Sequence, residues 1–171
     1  MASNQPTQAL NVIPSDTINI PEPDAYITGN NSAGAGTTIT DASANFLGVS
    51  NPANTGYSNR VAIGDVVYHE AAGPVLTLLT VVSIIDNNNI QVSASITGGR
   101  YQIYRANTGT NGVNQEGFSL FVGGTGNISV IPASSGQTVV LENIPDSSFI
   151  PLQVKRVNSG GTTATKIIAL R

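Results

Sequence analysis

The sequence predicts an all-β protein, and three observations carry that expectation. Segments that are β-branched, or that alternate apolar and polar residues, recur about every ten residues through the C-terminal part of the chain. Gly-, Asn- and Pro-rich turns separate them, which is the pattern of a β-sandwich or small barrel. No stretch sustains an apolar repeat of 3.6 residues, so helix should be nearly absent. The N-terminal segment contains Pro6, Pro14, Pro21 and Pro23. Proline fixes φ and removes a backbone donor, so this segment reads as an extended arm with at most one short edge strand, Ala9–Ile13.

The strands follow in order. Between Tyr26 and Asn59 the chain is rich in Gly, Asn, Ser, Thr and Ala; Thr37–Thr40 reads as a strand, and Asp41–Phe46 as one helical turn with Thr40 or Asp41 as N-cap. The SNPANTGYSN stretch reads as a loop. Val66–His69, Val75–Ile85, Ile90–Ile96 and Tyr101–Arg105 are the next strands. Asp86-Asn87-Asn88-Asn89, residues that tolerate positive φ, should close a hairpin between two of them. Tyr101, Ile103 and Arg105 should share one face, with Gln102 and Tyr104 on the other. An Asn/Gly/Thr linker, Ala106–Glu116, leads to Ser119–Val122, Asn127–Ile131, Thr138–Asn143, Pro151–Val157 and Thr165–Leu170.

Composition limits what such a chain can do. Its 171 residues suffice for one ordinary domain or two small ones. It is 40% hydrophobic but only 10% charged, so Asn, Ser, Thr and Gly supply most of the polarity. A surface of that kind suits backbone-rich β structure and subunit contacts. The formal charge of −3 argues against a nucleic-acid partner, which needs a basic face. Both lysines, Lys155 and Lys166, lie near the C-terminus, where a solvated strand face or an acidic neighbour would each account for them. With no cysteine there is no disulfide framework or thiolate metal site. The N-terminus lacks the basic and apolar regions of a secretory signal. The longest apolar run, Val75–Ile85, is too short to span a membrane as a helix. A soluble protein is expected, with no membrane partner.

The residues LFVGGTGNISV, TVVLENIP, FIPLQVKRV and SGGTTATKIIAL, together with Ser15-Asp16-Thr17-Ile18-Asn19-Ile20-Pro21, resemble the spike-base type of structural protein of tailed phages and phage-derived gene transfer agents. In that family an SDT-x-x-(I/L)-P arm passes directly into an ALYVGG-type strand pair, and the module closes on a GTTAT-x-I-x-AL strand. The resemblance covers Leu10–Pro23 and Phe118–Leu170. Here Ala25–Glu116 intervenes. The resemblance therefore implies two small β-sandwich or barrel modules, the first inserted into a discontinuous second: an arm at 1–24, an insert at 25–116 and a C-terminal module at 117–171. The arm should pack beside the C-terminal module or on a neighbouring subunit. The insert itself is similar in outline to a small β module of phage structural proteins.

Residues able to do chemistry are few. His69, the single histidine, would need Asp65 or another acid and a serine to form a triad; no Gly-x-Ser-x-Gly elbow occurs, and a histidine ending a strand is expected at the surface. The ten carboxylates are scattered. Asp65 and Glu70 can be named as a glycosidase pair, but nothing selects them. Asp86–Asn89 lacks the glycine and closing Glu of a calcium loop. Gly123-Gly124-Thr125-Gly126 has no lysine or helix after it and reads as a tight turn, not a phosphate loop. No catalytic, cofactor-binding or metal-binding residue is expected. Phe118, Phe121, Phe149, Tyr101 and Tyr104 read as core or interface anchors.

The expectation is a non-enzymatic virion protein. The resemblance implies a capsid decoration (cement) protein or the base of a head spike or fibre, assembled in the host cytoplasm and sited on the capsid surface. Its partners would be itself, as a homotrimer by preference or a pentamer, and the major capsid protein or other virion proteins. Candidate interface residues are Ser15, Asp16, Ile18, Ile20, Phe121, Phe149, Arg156 and Lys166. The alternatives are a tail, neck or baseplate fibre adaptor, or a host-glycan-binding adsorption module.

Overall fold

The computed structural model describes residues 6–48, 61–71, 76–107 and 117–171. Twelve strands are formed among them, and helix is absent from these residues. In chain order the strands are β1 (Ala9–Asn11), β2 (Ala25–Asn31), β3 (Gly36–Thr40), β4 (Val66–Ala71), β5 (Leu76–Ile84) and β6 (Asn89–Ile96). They continue with β7 (Gly99–Tyr104), β8 (Phe118–Gly124), β9 (Gly126–Pro132), β10 (Val139–Ile144), β11 (Ser148–Val157) and β12 (Thr165–Leu170). They form two six-stranded sheets, β1-β12-β8-β11-β9-β10 and β2-β7-β4-β5-β6-β3, in which neighbouring strands run antiparallel. The protein is all-β, in two modules.

The chain divides into one compact unit of Met1–Pro23 with Asn107–Arg171, and a second of Asp24–Ala106. In the first, β1 pairs with the last strand, β12. The core of this unit follows from register. Leu10, Ala169, Leu120 and Ile150 lie in one row across β1, β12, β8 and β11, and all four are buried. The period of two puts Asn11, Ile168, Phe121 and Phe149 in the adjacent row, on the opposite face. Ile128, Val130, Val154 and Val157 extend the core. Each fully buried side chain of this size stabilises the fold by about 1.5–3 kcal/mol.

Gly126 begins β9 at φ 146°, and a Cβ there would lie 2.5 Å from the Ala164 backbone nitrogen. This one glycine of the GGTG run both takes a positive φ and permits close approach. The following GTTAT run completes β9 before β12 begins: Thr163 and Thr162 hydroxyls accept from the Asn127 and Ser129 amides at 2.9 and 3.0 Å.

The second unit has its core in Ile39, Phe46, Val67, Leu79, Ile90, Val92, Tyr101 and Ile103. Several expectations are corrected here. Asp41–Phe46 is not helix: a single tight turn closes at its start, where the Ala44 amide donates to Asp41 O at 3.1 Å, and it goes no further. The Asp41 carboxylate accepts from the Ser43 amide and hydroxyl at 2.9 and 2.6 Å. The Asn88 side-chain amide donates to the carbonyls of Asp41, Ala42 and Ala44 at 3.0–3.1 Å, and the Phe46 amide donates to Asn87 O at 2.8 Å. The backbone groups a helix would use internally are thus taken by the β5–β6 turn.

That turn closes the expected hairpin by different means. None of residues 86–89 takes positive φ; instead Asp86 accepts from the Asn88 amide at 2.8 Å and from the Asn89 side chain at 2.9 Å, an Asx turn. His69 is not at the surface: it lies within β4 and is 1% exposed, because its row faces Tyr101 of β7 on the core side. Tyr104 is buried as well, though Gln102 on the same face is exposed. Strand β2 was not expected, since Gly29, Asn30 and Asn31 are poor strand formers; pairing with β7 along its length imposes the conformation. Gly29 is required there, because a Cβ would lie 2.5 Å from the Tyr101 hydroxyl. The SNPANTGYSN loop and the expected insert boundary at Glu116 lie outside the described residues, and the structure groups Asn107 with the C-terminal unit.

Candidate assembly surface

The arm is fixed to its own chain by polar contacts that account for its motif. The Ser15 amide donates to Val157 O at 2.9 Å, and the Ser15 hydroxyl oxygen accepts from the Thr17 and Ile18 amides at 3.3 and 3.1 Å. That turn presents Asp16 to the loop between β11 and β12. Its carboxylate accepts from the Ser159 hydroxyl at 2.6 Å and the Gly160 amide at 2.9 Å. Those two bonds, Ser159 first, hold the Asp16 carboxyl below the usual carboxylate range. Further on, the Ile20 amide donates to Lys155 O at 2.9 Å and the Ile20 side chain is 4% exposed. Glu22 pairs with Arg171 at 2.6 Å. The sequence segments SDTINIP and VNSGG, far apart in the chain, therefore meet.

The other interface candidates are placed as follows. Phe121 and Phe149 stand opposite one another on β8 and β11, on the face away from the core, and Phe149 is 55% exposed. The Arg156 guanidinium donates to Asn158 Oδ1 at 3.1 Å, and Asn158 in turn donates to the Ser129 hydroxyl at 3.1 Å. Lys166 is exposed, at φ 53°, with its stem beside Gly123, where a Cβ would lie 3.1 Å from the Lys166 Cβ. Ile18 is half-buried. The structure thus brings Ser15 and Asp16 to the β11–β12 loop and Phe121 to Phe149, and it keeps Ile20 inside the core of its own unit.

One feature escaped sequence reasoning. β10 ends its sheet, and among the described residues no strand pairs with its outer edge. Val139 and Val140 on it are exposed, Val140 by 48%, and Leu152 on β11 is exposed too. An exposed apolar edge strand is a template for pairing with another chain unless it is covered or blunted. A shift in register between Leu141 and Ile144, with Asn143 at φ 54°, limits the regular part to its first three residues. TVVLENIP, with two adjacent valines and no charge before Glu142, reads as an apolar strand, but its open edge depends on strand order.

In the insert, Asp65 is buried and gathers both ends of its unit. It accepts from the Tyr26 hydroxyl at the start of β2, from Arg105 at 3.2 Å just beyond β7, and from the Ala62 and Ala106 amides at 2.7 and 3.3 Å. The Arg105 guanidinium lies 4.0 Å over the Tyr26 ring. Burial and then the Asp65 bond push the Tyr26 hydroxyl far above its ordinary pKa. With its bonds filled from its own chain, Asp65 is a structural acceptor. Among the described residues the buried His69 Nε2 has no hydrogen-bond partner, and burial lowers the His69 pKa. Among the described residues no group of three His, Cys, Asp or Glu side chains is arranged to hold a metal ion, and no helix is long and apolar enough to cross a membrane. A scan against protein-family models and searches of curated proteins and of solved structures find no match to this chain.

Proposed function

We propose that this chain is a structural component of a phage-type virion that works by self-assembly, with the C-terminal unit as its contact surface. The observation that carries the reading is the open edge of β10, with exposed Val139 and Val140, in a unit that also exposes Phe149 and Leu152. Apolar side chains at an unpaired edge gain from burial against another chain, and the low charge of the sequence lowers the cost of desolvating such a contact. The sequence resemblance supports a capsid decoration protein or a head spike base, a homotrimer by preference, seated on the major capsid protein. The arm, tied down within its own chain, then serves as a brace for the contact surface. A quantitative protein inventory of purified particles tests the reading. Copy number that scales with the capsid lattice is expected of a decoration protein, a few copies per particle point to a spike base or fibre adaptor, and absence from particles overturns the proposal.

A further inference from the structure

We infer that the insert carries a binding groove for a neutral, hydroxyl-rich ligand of the saccharide type, on the face of the β2-β7-β4-β5 sheet opposite its core. The register builds it. Asn30, Arg100, Glu70 and Leu76 form one row across the four strands, and Thr28, Gln102 and Tyr68 form the next. Together they line a groove of about 540 Å³. A second hollow of about 450 Å³ shares Asn30, Glu70 and Arg100 and runs on to Gly98 and Gly99. Both volumes fall within the usual span of ligand sites, about 300–1,000 Å³.

Arg100 and Glu70 are directly opposed on β7 and β4, where side chains stand about 5 Å apart at Cβ. Arg105–Asp65 and Arg171–Glu22 are ion pairs in this structure, but Arg100 and Glu70 form none among the described residues. Both line the groove together with Asn30 and Thr28. That set fits a particular chemistry. A hydroxyl both donates and accepts; Arg offers only donors, ionised Glu only acceptors, and Asn both. A pair of adjacent hydroxyls therefore satisfies Arg100 and Glu70 together. A phosphate or sulfate would satisfy Arg100 but meet Glu70 as a like charge. Leu76, 39% exposed, supplies an apolar contact for the C–H face of a ring. The groove's own charges cancel, so the ligand is neutral.

The test uses the full chain on an array of immobilised neutral hexose and N-acetylhexosamine oligosaccharides, with sulfated oligosaccharides alongside. Saturable binding to a neutral probe is expected. Glu70→Gln and Arg100→Ala should each weaken it by about tenfold or more, the usual consequence of losing a hydrogen bond to a charged group. Both side chains project from the sheet surface, so the variants should keep the wild-type solution mass and unfolding midpoint. Lys166→Ala, in the other unit, should leave binding unchanged. Binding to no neutral probe, binding to sulfated probes alone, or undiminished binding by both groove variants would overturn the inference. Any of these would leave the assembly reading untouched, because solution mass and particle copy number are separate readouts.

Discussion

Replacing Asp65 with alanine removes the acceptor on which the ends of the insert converge. Arg105 is 36% exposed and can turn to water, so its share is small after solvent screening. The Tyr26 hydroxyl and the Ala62 and Ala106 amides, partly buried, bond to a carboxylate that is 4% exposed, so each loses about the net worth of one hydrogen bond. That net worth is about 1 kcal/mol, and three such bonds put the loss at about 3 kcal/mol. The assay is specific to this unit. All five tyrosines fall between Tyr26 and Tyr104 and there is no tryptophan, so tyrosine fluorescence reports on the insert. With a urea dependence of about 1 kcal/mol per molar for so small a unit, the midpoint should fall by about 3 M. Tyr26→Phe, which leaves the carboxylate its other three donors, should fall by less. A shift for Asp65→Ala below about 1 M would mean that the donors find other partners and that Asp65 does not hold the ends of the insert together.

Three further outcomes are expected. His69 is buried with its pKa lowered, so below about pH 6.5 the unfolded chain takes up the proton before the folded one does. Stability of the insert should be flat above that pH and then fall, by no more than about 1.4 kcal/mol per pH unit, until the folded histidine titrates; a profile flat down to pH 5 by tyrosine-monitored unfolding would contradict this. Gly126→Ala forces a side chain into positive φ against the Ala164 backbone, and should destabilise the C-terminal unit by more than about 1 kcal/mol, read as faster amide exchange in β9 and β12. Val140→Lys places a charge on the β10 edge and should reduce the solution mass to that of a monomer without accelerating exchange in the core strands.

What the sequence revealed and what it hid divide along physical lines. Strands β4 to β12 were legible because each combines β-branched or alternating apolar residues with a neighbouring turn of Gly, Asn, Ser or Pro. Strand β2 was not, since AYITGNN has weak strand propensity and owes its conformation to β7. The Asp41–Phe46 segment misled for a related reason: its local signal is that of a capped turn, but the partners that decide its path, Asn87 and Asn88, lie more than forty residues away. Likewise the burial of His69 depends on its row facing Tyr101, which the local pattern of β4 does not encode. Of the candidate surface, Phe149 was read as a core or interface anchor, but its outward place was not legible, because the expected strand began at Pro151 whereas β11 begins at Ser148. Nor was the exposed edge of β10, because edge position is a property of strand order.

Self-assembly is tested by the solution mass of the full chain, measured by sedimentation equilibrium across a range of concentrations. A defined multiple of the monomer is expected, a trimer by preference, and Val140→Lys should dissociate it. A monomer at every concentration, or an oligomer indifferent to that substitution, would contradict this expectation.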